Sequence, residues 1–240
     1  MKACLTVDLE QDCPPFLTSY RGIEEGAPAL LGLLADEGLP ATFFTTGDVA
    51  RRYPGLARLI VDSGHELGCH GDTHERFDRM ERPAAERDLR QASATLRAHG
   101  PVVSFRAPNL AFPDRFLPLL EASGYLVDSS QARYKLSHLR RGRASTTLLR
   151  VPASSTSSLL RVPAIFRDAV LRRLAEPVVL FVHPWEFIDL TADRRVRLDC
   201  RFRTGPMALE CLRTALRLLK SSGAQFCRMR DLNAARAASA

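Results

Sequence analysis

The sequence predicts an α/β protein, a parallel sheet with helices outside it, whose repetition suits a (β/α) barrel, complete or incomplete. Three observations carry that prediction. Short apolar, β-branched runs alternate with helix-length runs along most of the 240 residues. Glycine, proline or aspartate punctuates the joins. Ionisable residues recur at the carboxyl ends of the predicted strands, where such folds place their chemistry.

Taken in order, "ACLTVDLE" (3–10) reads as a strand ending in carboxylates, followed by a polar loop with two prolines and the helical spacing of "IEEGAPALLGLLADEG" (23–38), which stops at glycine. "PATFFTTGD" (40–48) is a β-branched, aromatic strand running into Asp48 or Gly47 as the cap of helix 49–64. The alternation continues with strand 65–70, helix 84–100, strand 102–108, helix 114–124 and strand 125–130. It resumes after a less regular middle with strand 177–184, helix 206–223, strand 224–229 and a terminal helix from 230. Within that middle, "LLRVPA" occurs at 148–153 and again at 159–164. Two copies are too few for a solenoid, so a hairpin or pair of short strands around "SSTSS", walling a groove, is expected.

Composition narrows the function. With 45% apolar and 25% charged residues, the chain is not mainly disordered, and one domain over 1–240 is the simplest expectation. The N-terminus lacks a signal-peptide h-region and no apolar run approaches the roughly 18 residues of a membrane span, so a cytoplasmic protein is expected, with peripheral membrane association compatible. The six cysteines show no C-x-x-C spacing, which argues against a zinc ribbon or disulfide framework. The net charge of +7 suits nucleic acid, anionic lipid or an acidic glycan. Its arginines are dispersed, apart from small clusters such as "RRGR" (140–143), and no nucleic-acid motif accompanies them, so a solvated surface explains them better.

The candidate site residues stand at strand ends. Asp8 and Glu10 close the first strand with Asp12 just beyond; His70, with His74 following, closes the third; Arg106, Asp128 and His183 close later ones. Such a register is costly to explain by packing alone, because buried charges need partners or metal. On one helical turn or a tight loop, His70 and His74 can reach one metal ion, and a carboxylate from the first strand completes a set that leaves positions open for water and substrate. Arg106 between an apolar strand and Pro108 reads as a fixed guanidinium able to keep a carboxylate ionised. Asp128 either caps the "DSS" turn or hydrogen-bonds a catalytic histidine. Trp185, the only tryptophan, is a core or rim residue or an apolar wall for a sugar ring or acyl methyl. His65 reads as structural, His99 as a helix C-terminal residue and His138 as a surface residue.

In motif order, "TVDLE", "ATFFTTGDVARRYPGLARLIVDSGHELGCHGDTH", "FRAP", the "DSS" region and "LFVHPWEF" resemble the polysaccharide deacetylases of carbohydrate esterase family 4. The resemblance implies a distorted, often incomplete (β/α) barrel and a metal-dependent hydrolase that removes acetyl groups from N-acetylated sugars or glycans. It implies Asp8 as general base, His70 and His74 as ligands of a divalent metal, zinc by expectation, Arg106 as the residue orienting the base, and His183 as general acid. The family's commonest pattern has adjacent aspartates, whereas Leu9 follows Asp8 here; the D-x-E spacing selects Glu10 as the third ligand, with Asp12 as its alternative. Asp128 joins the catalytic set, and Trp185 and Pro108 the substrate contacts. The stretch "YRGIEEGAPALLGLLADEGLPATFF" is also similar to deformylases of lipid-linked aminosugars, and a silent glycan-binding module is the remaining alternative. A serine hydrolase is disfavoured by the lack of a G-x-S-x-G elbow, and a glycosidase would leave the histidine pair without a role.

Overall fold

The computed structural model describes residues 1–135 and 144–238. The predicted positions of His138 and the "RRGR" cluster lie outside them. Along the chain run β1 (Lys2–Leu9), α1 (Ala27–Glu37), β2 (Thr42–Thr45), α2 (Gly47–Arg52), α3 (Pro54–Asp62), β3 (Glu66–Cys69), α4 (Arg82–Arg97) and β4 (Ser104–Phe105). Next come α5 (Leu117–Ala122), β5 (Val127–Asp128), β6 (Leu149–Arg150), α6 (Ala164–Leu171) and β7 (Val178–Val182). The chain ends with α7 (Leu198–Arg201), α8 (Pro206–Ser221), β8 (Gln225–Phe226) and α9 (Met229–Ala238). The expected α/β alternation is therefore present. No helix among the described residues is long and apolar enough to cross a membrane, and all six cysteines are free thiols.

The chain divides into two compact units, Met1–Pro40 with Ser154–Cys227, and Ala41–Ala153 with Arg228–Ala240. In the first, β1 pairs in parallel with β7 and with β8, placing Val7 opposite Val182. Parallel strands buried on both faces need continuous apolar runs, and β1 and β7 supply them: only Lys2 of β1 is exposed. The amphipathic α8 buries Ala208, Cys211, Leu212, Ala215, Leu216 and Leu219, an i, i+3, i+4 stripe. The expected helix from Ile23 begins as a π-helical turn, Gly22–Gly26, before α1 takes over. Close backbone approach explains its glycines: a Cβ on Gly26 would lie 2.1 Å from the Pro184 carbonyl oxygen.

The second unit carries the parallel pairs β2–β3, β3–β4, β4–β5 and β5–β6. Phe77, Phe105 and Phe112 pack with mutual ring distances of 5.1–5.6 Å in its core, an arrangement in which deleting one ring costs about 3–5 kcal/mol. Helix 49–64 is broken into α2 and α3 at Tyr53, because Pro54 has no N–H to donate and crowds the preceding turn. The cap is neither Asp48 nor Gly47 but Thr46, extended at ψ 151°, whose hydroxyl accepts from the Val49 amide.

The repeat also departs from expectation. Its first copy supplies β6, which pairs with β5 in parallel, while the second forms a 3-10 turn over Ser157–Arg161 and enters α6. No hairpin joins them, because the two copies fold into different units; identical hexapeptides take different structures from their different neighbours.

Candidate active site and metal-ligand cluster

In the first unit, period-2 geometry past β1 brings out acids, and Asp8, Glu10 and Asp12 are all buried. Asp12 is committed to its loop: one carboxylate oxygen accepts from the Gly22 amide at 2.8 Å and the other from the Ser19 hydroxyl at 2.7 Å. Glu10 instead faces His183, whose Nε2 stands 3.8 Å from a Glu10 oxygen, and receives the Trp185 indole N–H at 3.4 Å.

His183 ends β7 and caps the 3-10 turn Pro184–Phe187. Its backbone amide donates to Glu186 Oε1 at 3.0 Å, and its Nδ1–H donates to the same oxygen at 2.9 Å. The other Glu186 oxygen lies 2.9 Å from Arg161 Nε, with both side chains only 2% exposed. Arg161 also donates to the carbonyls of Asp199, Cys200 and Phe202, which fixes it. Burial pulls the His183 pKa down, but the Glu186 hydrogen bond and the charges of Glu10, Glu186 and Asp8 outweigh it and raise it to about 9. Burial likewise pushes the Glu186 carboxyl up, and bonding to His183 and the charge of Arg161 bring it below the usual carboxylate value. The result is an imidazolium at neutral pH whose remaining proton sits on Nε2.

Trp185 takes the core position that was one of its two readings. It is buried in a cluster with Cys13, Leu17, Ile188, Leu190 and Val196 and stacks on His183, ring centroids 4.6 Å apart and planes 19° from parallel. Its role is to brace the histidine.

In the second unit, His70 ends β3 and is 1% exposed. Its Nδ1–H donates to the Arg106 carbonyl at 2.8 Å, which makes Nε2 the nitrogen suited to a metal. His74 lies beside it, rings 5.3 Å apart. The intervening chain is a tight loop, the second of the two geometries expected: Gly71 and His74 have φ of 76° and 61°, a left-handed region that costs a non-glycine residue about 1 kcal/mol or more. The loop is pinned where Arg51 donates bidentately to Asp72 at 2.7 and 3.1 Å and where the Asp72 amide donates to Asp88 at 3.0 Å. Burial, helped by the Asp72 and Glu75 charges, pushes the Asp88 carboxyl up to about 7. Two adjacent imidazoles, one in a tautomer fixed by a backbone carbonyl, fit a divalent cation by donor chemistry and shape.

Arg106 is fully buried, as expected of a fixed guanidinium, held by a 2.9 Å bond to the Ser129 hydroxyl and lying over the Phe44 ring at 4.3 Å. Asp128 takes the first of its two readings, the turn. One oxygen accepts from Arg150 and the other from the Ser130 amide, each at 2.9 Å, so it serves the "DSS" turn and an arginine rather than a histidine. Pro108 is buried in the 3-10 turn Pro108–Leu110, which shapes the chain after Arg106 rather than presenting a surface to substrate. His65 is structural, accepting from the Ala41 amide at 3.3 Å, and His99 follows the end of α4.

Sequence reasoning missed Glu186, Arg161 and the Arg51–Asp72–Asp88 clasp. Glu186 had a signal, since it stands three positions after His183 with a proline between, a capping-box spacing. For Arg161 there was none, because its partner lies 25 positions away in sequence.

The family model for polysaccharide deacetylases matches residues 5–127. The chain is 37% identical over 79 residues to a chitooligosaccharide deacetylase of Sinorhizobium fredii, covering 33% of this chain and 37% of that one. It is 44% identical over 52 residues to a peptidoglycan deacetylase of Helicobacter pylori, covering 22% of this chain and 18% of that one. The matches thus span well under half the length of these relatives. Among solved structures, a Mycobacterium smegmatis protein described as a polysaccharide deacetylase superimposes with a TM-score of 0.71 at 22% identity, covering 99% of this chain and 90% of that one. At that identity the likeness establishes the fold, which is the α/β fold of that family.

Proposed function

The chain belongs to the polysaccharide deacetylase family, and from that premise we propose that it is a metal-dependent hydrolase, acting as a single catalytic domain, that removes an N-acetyl group from an N-acetylated sugar or glycan. The observation that carries the proposal is the Arg161–Glu186–His183 chain, which holds an imidazolium with one proton to give. Such an acid suits a reaction whose leaving group is an amine that must depart protonated.

We assign His70, His74 and Glu10 as the ligands of a divalent cation, zinc by preference. Asp12 is set aside because both its oxygens are already engaged. A divalent cation held by these residues would supply Lewis acidity for the acyl carbonyl and for water. Asp8 takes the proton from the attacking water, His183 delivers the Nε2 proton to the departing sugar amine, and Glu186 holds the ring in the tautomer that allows it. Arg106 has the orienting role the resemblance implies, supported by its fixed, buried guanidinium.

The test is release of acetate and of formate from N-acylated sugars, chitooligosaccharides included, before and after chelation and return of zinc. Acetate release that chelation abolishes and zinc restores supports the proposal. Formate alone would identify a deformylase, and no release by metal-loaded protein would leave a silent glycan-binding module.

A pH profile probes the acid. His183 is protonated below its raised pKa of about 9 and loses that proton as pH rises through it, so kcat should fall on the alkaline side. Glu186→Gln keeps a hydrogen-bond acceptor but removes the negative charge. The alkaline limb should then move to lower pH, while the substrate KM changes little. An unmoved limb would separate Glu186 from the acid.

A further inference from the structure

Helix α6 exposes the wrong residues for a surface in water. Ile165 and Phe166 are 76% and 67% exposed, Val170 is exposed beside them, and Arg167 and Leu171 are the ones buried. Leu198 and Phe202 are exposed on the turn containing α7. That turn belongs with α6, because Arg161, at the end of the segment leading into the helix, donates to the carbonyls of Asp199, Cys200 and Phe202. Arg167, within the helix, donates to the Cys211 carbonyl of α8. Two linked elements of the first unit therefore carry large apolar side chains into solvent, where a single one would need no explanation but several do.

The charges of the same region have a sign. Asp168, Asp193 and Asp199 are each in an ion pair with their own neighbours Arg167, Arg195 and Arg197. Of the nearby acids that remain, Glu176 accepts the Lys2 backbone amide and Asp189 bonds Thr191. Exposed Arg172 and Arg173 follow α6, Arg194 precedes α7, and none of the three has an acidic partner among the described residues. Exposed isoleucine, phenylalanine and leucine flanked by surplus arginine is the composition that seats a protein in the headgroup layer of an anionic bilayer.

We infer that α6 and the α7 turn form a docking surface for an anionic lipid bilayer, with Ile165, Phe166 and Leu198 entering the headgroup region and Arg172, Arg173 and Arg194 meeting lipid phosphates. None of its residues is a proposed catalytic residue or metal ligand, and the inference does not depend on the catalytic reading.

Co-sedimentation with vesicles of phosphatidylcholine containing phosphatidylglycerol, against pure phosphatidylcholine, tests it. The wild-type protein should pellet with the anionic vesicles and release as salt rises, because each arginine near the surface contributes about fivefold in partitioning and is screened beyond a Debye length. Arg172→Glu with Arg173→Glu should lower partitioning by more than about tenfold, as should Ile165→Ser with Phe166→Ser. Both exposed pairs should leave the far-UV circular dichroism unchanged. Equal binding to both vesicle types, no binding, or undiminished binding by the variants would overturn the inference. So would a concentration-dependent dimer that Phe166→Ser dissolves, which would make the face a contact between copies of this chain.

Discussion

His183→Gln is expected to lower kcat for an N-acetylated sugar by about 10²- to 10⁴-fold, the range attributed to a positioned general acid. The expectation rests on the one proton that the geometry leaves available. Nδ1–H is committed to Glu186, and Nε2 points toward the acids at the end of β1. Glutamine fills similar space and can keep a bond to Glu186 but cannot donate a proton as an acid. The loss should be selective. The aryloxide of an activated aryl acetate departs without protonation, so hydrolysis of that ester should suffer much less than that of the amide, and bound metal measured by elemental analysis should be unchanged. Equal losses on both substrates with metal retained would mean that His183 positions substrate or water and that another group protonates the amine.

Much of the proposed site was legible in the sequence because its proposed members stand where strands end. Asp8, Glu10, His70, Arg106 and His183 each follow an apolar run, and the parallel architecture that such runs predict makes strand ends the place to look for chemistry. The supporting partners were less legible. Arg161 and Arg150 are the same residue in the two copies of "LLRVPA", and each neutralises a buried carboxylate, Glu186 and Asp128 respectively, at 2.9 Å. The repeat was visible, but pairing across distant sequence is a tertiary event that no local period encodes. For Trp185 and Pro108 residue type suggested contact with substrate, whereas their packing, Trp185 in an apolar cluster and Pro108 in a 3-10 turn, depends on neighbours that residue type does not encode. The broken helix at Pro54 and the Thr46 cap were readable in principle, since both follow from local rules.

His70→Ala is expected to reduce bound zinc from one equivalent to a small fraction and to abolish chelator-sensitive turnover. His70 is the better placed of the two imidazoles, being almost fully buried and held by its Nδ1 bond to the Arg106 carbonyl. A ligand oriented in this way loses little freedom on binding metal, and its removal should cost more than the about 10- to 100-fold in affinity that follows loss of an outer hydrogen-bond partner. Thermal stability supplies a readout independent of catalysis. A ligand that binds only the folded state raises Tm with concentration, so zinc should raise the Tm of the wild-type protein but not that of His70→Ala. The same titration decides between the two candidate carboxylates. Glu10→Gln should flatten the zinc response because it removes a donor. Asp12→Asn should lower the starting Tm by weakening the bonds to Gly22 and Ser19 yet keep the response to zinc. A flat response in Asp12→Asn with a normal one in Glu10→Gln would reverse the assignment, and it would require Asp12 to give up its loop contacts to reach the metal. Those contacts bury a carboxylate whose pKa desolvation raises despite its hydrogen bonds, so an Asp12 ligand would have to exchange a closed loop for the metal.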